Sequence, residues 1–121
     1  MNVRSRPAAG RERPHRHGIA WWIERDGAIW LIRRPTKGML GGMAALPGPD
    51  WTEEAAAVPA LAAVSHGFTH FTLDLRVAAR QSPPEDDGWW QPLDRISEAG
   101  LPTLYARAIE AVIARKESLA A

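Results

Sequence analysis

The chain contains no cysteine among its 121 residues. It therefore has no disulfide, no thiolate zinc site and no cysteine-ligated iron–sulfur cluster. It also lacks any run of the roughly 18–20 apolar residues that cross a bilayer, and its start lacks the apolar segment of a signal peptide. These absences predict a soluble intracellular protein without a membrane partner.

Net charge is also small, at +1, but it is unevenly distributed. Residues 1–18 contain five arginines and one glutamate, a local charge of +4 that leaves −3 for the rest of the chain. Because this segment has almost no large apolar side chain, it is predicted to be a flexible basic linker or tail, either a simple spacer or an arm that contacts DNA. The slightly acidic remainder indicates that any DNA contact is local or shared with another domain.

The length fits one domain, and its first elements are predicted to be strands. Apolar runs at residues 19–23 and 28–32 flank an Asp-Gly pair at 26–27, which is typical of a β-hairpin turn. Apolar and polar residues alternate over residues 71–77, which predicts a strand with one buried face.

Loops and helices are predicted around these strands. Glycines and prolines predict a long ordered loop over residues 35–49. Thr52 is a candidate N-cap for a short helix that Pro59 ends. Three further elements are predicted: a short strand at 89–91, a brief helix from Asp94 to Gly100, and a final helix capped by Thr103 with an apolar stripe of Leu104, Ala108, Ala111, Val112 and Arg115. Strands with helices between and after them predict a mixed α/β (α+β) domain.

Three separated motifs occur in this order along the chain. Residues 34–43 are RPTKGMLGGM, residues 66–75 are HGFTHFTLDL and residues 89–93 are WWQPL. Together they resemble the C-terminal domain of MutY-type adenine DNA glycosylases, base excision repair enzymes that remove adenine mispaired with 8-oxoguanine. The resemblance implies a Nudix-like mixed β-sheet flanked by helices over residues 19–121. It also implies a noncatalytic domain that recognises 8-oxoguanine opposite adenine.

The resemblance assigns no catalytic residue and no cofactor to this chain. In that family, hydrolysis of the N-glycosyl bond belongs to an N-terminal helical domain that carries an iron–sulfur cluster. Two partners are therefore implied: double-stranded DNA containing 8-oxoguanine:adenine, and the N-terminal glycosylase domain of the same parent protein. The implied location is the bacterial cytoplasm, at the nucleoid when DNA is bound. The chain is then either part of such an enzyme or a stand-alone relative.

The magnesium-binding motif of Nudix hydrolases is missing. That motif is an Arg-Glu-x-x-Glu-Glu helix, whose clustered carboxylates hold the metal that bridges the pyrophosphate. Here no arginine lies between Arg34 and Arg76, and Glu53-Glu54 is followed by three alanines. The sequence therefore predicts no functional Nudix box and no pyrophosphohydrolase activity.

The resemblance places the lesion contacts at Phe68, Thr69 and His70, which match the family's Phe-Ser-His tip between two strands. Guanine presents N7 as an acceptor, whereas 8-oxoguanine carries a hydrogen there, and a hydroxyl can accept from it. Thr69 keeps the hydroxyl of serine but adds a methyl group and a stiffer χ1. Phe68 would be an apolar wedge, and His70 a donor to phosphate or a base edge. Alternatively, the turn buries Phe68, and the other two residues fit a half-exposed strand.

Other candidate residues carry weaker signals. Arg34 and Lys37 flank a glycine-rich loop and are possible phosphate contacts, with solvated surface charge as the alternative. His66 has no second ligand at a recognisable spacing, so no metal site is predicted. The six tryptophans are explained by a small core better than by a base-stacking platform.

A second function class is compatible with the same fold. The alternative is a degenerate Nudix-like module that binds a protein or a nucleotide and recognises no lesion. Exposure of Thr69 discriminates between the two, because a loop tip that presents its hydroxyl favours lesion recognition and a buried tip favours the alternative.

Overall fold

The computed structural model describes residues 14–55, 57–84 and 87–120. Residues 1–13 of the predicted basic tail lie outside this part, so the prediction for them stays a prediction. The elements are β1 (His15–Trp22), β2 (Glu24–Arg25), β3 (Ala28–Arg33), β4 (Ala44–Ala45), β5 (Ala62–Gly67), β6 (Thr72–Ala79), β7 (Gly88–Pro92), a 3-10 helix (Leu93–Glu98) and α1 (Thr103–Ala120).

The strands form two sheets that combine parallel and antiparallel pairing. In the first sheet the order is β1-β6-β5, with β1 parallel to β6 and β5 antiparallel to β6. In the second sheet β3 pairs antiparallel with β2, β4 and β7. A parallel pair needs a long crossover connection, and here residues 23–71 lie between β1 and β6. This architecture confirms the predicted mixed α+β fold class.

The predicted hairpin is present but short. Asp26 and Gly27 have φ values of 53° and 79°, as a tight turn with left-handed residues requires. Beyond that turn only β2 pairs with β3, because the preceding residues belong to β1 and bond to β6. β1 also begins earlier than the predicted domain boundary at residue 19, since His15–Gly18 already pair with β6.

The prediction of a short helix after Thr52 is wrong. Within residues 51–55 and 57–61, the structure has no helix. Instead, the Thr52 backbone pairs with His17, whose N–H donates to the Thr52 carbonyl at 2.6 Å and whose carbonyl accepts from the Thr52 N–H at 2.8 Å. The backbone N–H and carbonyl of Thr52 are thus bonded to the edge of β1. This tertiary pairing overrides the helix propensity of the alanines that follow.

The core is built from alternating strand residues and one face of α1. Leu73, Leu75 and Val77 are fully buried, which confirms the predicted alternation in β6. The strand predicted at 89–91 is confirmed as part of β7, and the brief helix that follows is a 3-10 helix. The buried residues of α1 are Leu104, Tyr105, Ala108, Ile109 and Val112. No helix in the described part is long and apolar enough to span a membrane.

Candidate nucleic-acid interface

The tip between β5 and β6 is a short turn that presents two side chains to solvent. Gly67 pairs with Thr72 as the last rung of the two strands, and the Phe68 N–H donates to the Phe71 carbonyl at 2.8 Å. Thr69 and His70 lie between these two phenylalanines, and both are exposed. The turn therefore places a hydroxyl and an imidazole at the end of the β5–β6 hairpin.

Phe68 turns into its own fold, where it is half-buried against the core. Its ring centroid lies 4.8 Å from that of His66, 4.9 Å from that of Phe71 and 5.8 Å from that of Trp51. Such contacts are worth about 0.5–1.5 kcal/mol each beyond burial. Phe68 is thus placed as an anchor of the hairpin, and it would have to leave this aromatic cluster to act as a wedge between bases.

A cleft of about 930 Å³ adjoins the hairpin. Phe71 belongs both to the turn and to the wall of the cleft. The charged and aromatic side chains that line it are Arg16, Arg33, Arg34, Lys37, Asp50, Trp51, Phe71 and Asp87. Four cations against two carboxylates give the cleft a positive balance within a chain whose total charge is only +1.

Arg34 lies in this cleft, but much of its guanidinium is bound internally. Its Nε donates to the Met39 carbonyl at 2.9 Å, and one terminal nitrogen donates to the Tyr105 hydroxyl at 3.0 Å. The guanidinium carbon also lies 4.6 Å from the centre of the Trp51 ring. Burial raises the pKa of Tyr105, with Arg34 opposing the shift, so the hydroxyl is neutral near pH 7. Of the two predicted phosphate contacts, Arg34 therefore holds the cleft together, whereas Lys37 is exposed at its edge.

Two cleft arginines were not singled out from the sequence. The guanidinium carbon of Arg16 lies 5.0 Å from the centre of the Phe71 ring, and that of Arg33 lies 5.1 Å from the centre of the Trp89 ring. Arg16 falls inside the predicted tail, where only its strand pairing with β6 reveals a fixed position. Arg33 is the last residue of β3, so its position just before the glycine-rich loop could have identified it as a candidate phosphate contact.

The family model described as a NUDIX domain matches residues 18–111. No match was found among curated protein sequences. The E. coli ORF135 protein is similar in structure, with a TM-score of 0.63 and 19% identity over 90% of this chain and 95% of that one. The NUDIX domain of Shewanella oneidensis NrtR, solved with ADP ribose, has a TM-score of 0.60 and 14% identity over 92% and 93%.

The C-terminal domain of mouse MUTYH, solved in complex with human PCNA, is also similar. Its TM-score is 0.53, with 17% identity over 86% of this chain and 87% of that one. At such identities the likeness shows a shared fold. Proteins that share this fold were solved with different ligands and partners, so the function of this chain has to be inferred from its tip and its cleft.

Proposed function

We propose, from the premise that this chain belongs to the NUDIX domain family, that it is the noncatalytic lesion-recognition domain of an adenine DNA glycosylase. It would recognise 8-oxoguanine opposite adenine in duplex DNA, beside an N-terminal domain that performs the hydrolysis. The motif resemblance and the likeness to the MUTYH C-terminal domain support the proposal. The observation that carries it is the exposed tip of Thr69 and His70 next to a positively charged cleft.

The tip has the chemistry to distinguish the oxidised base. A hydroxyl accepts a hydrogen bond from the N7–H of 8-oxoguanine, and guanine offers no hydrogen at that position. Thr69 is exposed at the end of the hairpin, which favours contact of its side chain with a base. Lys37, Arg16 and Arg33 would bind phosphate, which positions the duplex without selecting the sequence.

The residues present do not fit the magnesium cluster of a Nudix hydrolase. Asp50 is the one carboxylate from the segment between Arg34 and Arg76 that lines the cleft. Glu53 and Glu54 are exposed, in a segment where no helix is described to align them with further ligands. We therefore propose recognition without pyrophosphate hydrolysis.

A second candidate function is nucleotide binding in the cleft, without lesion recognition. The cleft offers Arg16, Arg33 and Lys37 to a phosphate, and a base could enter beside Trp51 by displacing the Arg34 guanidinium from its ring. The NrtR domain was solved with ADP ribose, which makes that compound a suitable probe. In this case the exposed tip would have no role.

Replacing Thr69 by valine is expected to abolish the preference for the lesion while leaving general DNA affinity intact. We define lesion preference as the dissociation constant for a guanine:adenine duplex divided by that for an 8-oxoguanine:adenine duplex. Valine matches the shape of threonine but lacks the hydroxyl, so about 1–3 kcal/mol of discrimination, or roughly tenfold to a hundredfold, should disappear. Fluorescence anisotropy with labelled duplexes at fixed salt measures both constants.

Thr36→Val is the matched control, because Thr36 is another exposed threonine in the loop beside the cleft. It should keep the lesion preference, and Thr69→Ser should keep it too. Equal affinity of the unaltered chain for the two duplexes, together with saturable ADP-ribose binding, would replace lesion recognition by the second candidate.

A further inference from the structure

Three side chains that bind metals meet on one face of the β1–β6 pair, outside the cleft. His15 and His17 are two residues apart on a strand, so they point to the same side. The parallel register places His17 opposite Asp74. The ligand atoms of these three residues all lie within 4.8 Å of one another, and the two imidazole centroids are 4.9 Å apart.

The carboxylate of this cluster is already oriented. The Ser65 hydroxyl donates to one oxygen of Asp74 at 2.5 Å, and the other oxygen lies 2.6 Å from Nε2 of His15. The bond from Ser65, followed by that from His15, lowers the pKa of Asp74 and keeps it an anion. A ligand carboxylate whose second oxygen is held by an outer partner is the arrangement found around protein metal sites.

We propose that His15, His17 and Asp74 form a binding site for a zinc-class divalent cation. Two imidazole nitrogens and one carboxylate oxygen suit Zn²⁺, whereas Mg²⁺ prefers oxygen ligands alone. In a tetrahedral zinc site the ligand atoms are about 3.3 Å apart, so small side-chain rotations would bring the present atoms into place. Water would supply the fourth ligand, because His15 and Asp74 remain partly exposed.

The surroundings leave room for an ion. A hollow of about 400 Å³ is lined by His17, Ser65 and Asp74, together with the cation Arg76. Arg76 is directed elsewhere, since its Nε and one terminal nitrogen donate to the Val58 carbonyl at 3.3 and 3.0 Å. Its hydrogen bonds therefore go to the backbone and not to the Asp74 carboxylate.

The position of the site gives the ion a structural role. β1 and β6 both begin at this end of the sheet, where His15 pairs with Thr72. Only Phe71 separates the tip of Thr69 and His70 from Thr72. A bound cation would therefore tie the first residues of β1 to the base of the exposed hairpin, and it would raise the unfolding temperature as the ion concentration rises.

Calorimetric titration of the full chain with ZnCl₂ tests the site. One Zn²⁺ should bind per chain, MgCl₂ should give no saturable heat, and the unfolding temperature should rise with zinc alone. His17→Asn and Asp74→Asn should each weaken zinc binding by about tenfold or more, since removing even outer-shell partners of a metal has effects of that size. His15→Asn should do the same, and its half-exposed position at the start of β1 makes it the variant that spares the fold.

His70→Asn is the control, because His70 is exposed but lies outside the cluster. It should bind zinc as the unaltered chain does. The proposal is overturned if zinc shows no saturable binding, if His15→Asn with a dispersed amide spectrum binds zinc unchanged, or if His70→Asn weakens binding as much as the cluster variants. Saturable Mg²⁺ binding of equal strength would overturn the zinc-class assignment.

Discussion

Gly48→Ala is expected to destabilise the protein by about 3 kcal/mol, the upper part of the range typical of overpacking. A Cβ at this position would overlap the carbonyl oxygen of Ile19, a backbone atom that cannot rotate away. The close approach is held in place, because the Trp21 N–H donates to the Pro47 carbonyl at 2.7 Å. Either this pairing between the loop and β1 breaks or both backbones shift.

Gly38→Ala is the matched control for this prediction. Gly38 has a φ of 99°, and no atom lies within 4 Å of the point that a Cβ would occupy, so its substitution carries only the conformational penalty of about 1–2 kcal/mol. Urea unfolding followed by tryptophan fluorescence measures both variants. If Gly48→Ala lost no more stability than Gly38→Ala, the close approach would not be a constraint on the fold.

The same contact has a consequence for the cleft. Gly48 and Pro49 line it, so a shift of this segment moves the wall that faces the cleft arginines. Under the proposed function, Gly48→Ala should therefore bind DNA more weakly than the unaltered chain at temperatures where both are folded.

The elements that the sequence predicted well depend on local patterns. The alternation of β6 follows from side chains two residues apart, and the Asp26-Gly27 turn follows from the φ values that these residues tolerate. The fold class follows from the order of such elements. Exposure of Thr69 was the feature on which the two function classes were predicted to differ, and a four-residue turn presents it.

The elements that were missed depend on distant pairing. The polar residues at the start of β1 were predicted to belong to a flexible tail, because their pairing with β6, far along the chain, leaves no local pattern in the sequence. The alanines after Thr52 favour a helix, but the edge of β1 occupies the backbone of Thr52 first. In the same way, His15 and His17 gain Asp74 as a neighbour only through the register, and Phe68 meets Trp51 only in the folded chain.

Arg34→Met is expected to destabilise the protein by about 3 kcal/mol, chiefly because it leaves a buried hydroxyl without its donor. Tyr105 is only 2% exposed, and an unsatisfied buried polar group costs about 1–3 kcal/mol. The cation–π contact with Trp51 adds about 0.5–2 kcal/mol, and the bond to the Met39 carbonyl is lost as well. Methionine keeps the length of the side chain, so the change isolates the guanidinium.

Tyr105→Phe provides the second arm of a double-mutant cycle. In that background no hydroxyl remains to be left unpaired, so Arg34→Met should cost about 1 kcal/mol less than it does in the unaltered chain. Arg33→Met is the matched control, because Arg33 is exposed and, within the described part of the chain, its one hydrogen bond is a 3.3 Å bond to the Gly42 carbonyl, besides its ring contact. It should cost less than about 1 kcal/mol. Additive effects of Arg34→Met and Tyr105→Phe would contradict the pairing.

The salt dependence of DNA binding separates the structural role of Arg34 from a phosphate contact. Loss of a phosphate contact lowers the salt dependence of DNA binding by about one unit of slope, whereas loss of an internal brace lowers stability without changing that slope. Because Arg34 is bound to Met39 and Tyr105, the slope should change little in Arg34→Met. It should change in Lys37→Met, since Lys37 is an exposed cation that lines the cleft. Arg34 would then stabilise the fold and Lys37 would bind phosphate, as expected from the partial burial of the first and the exposure of the second.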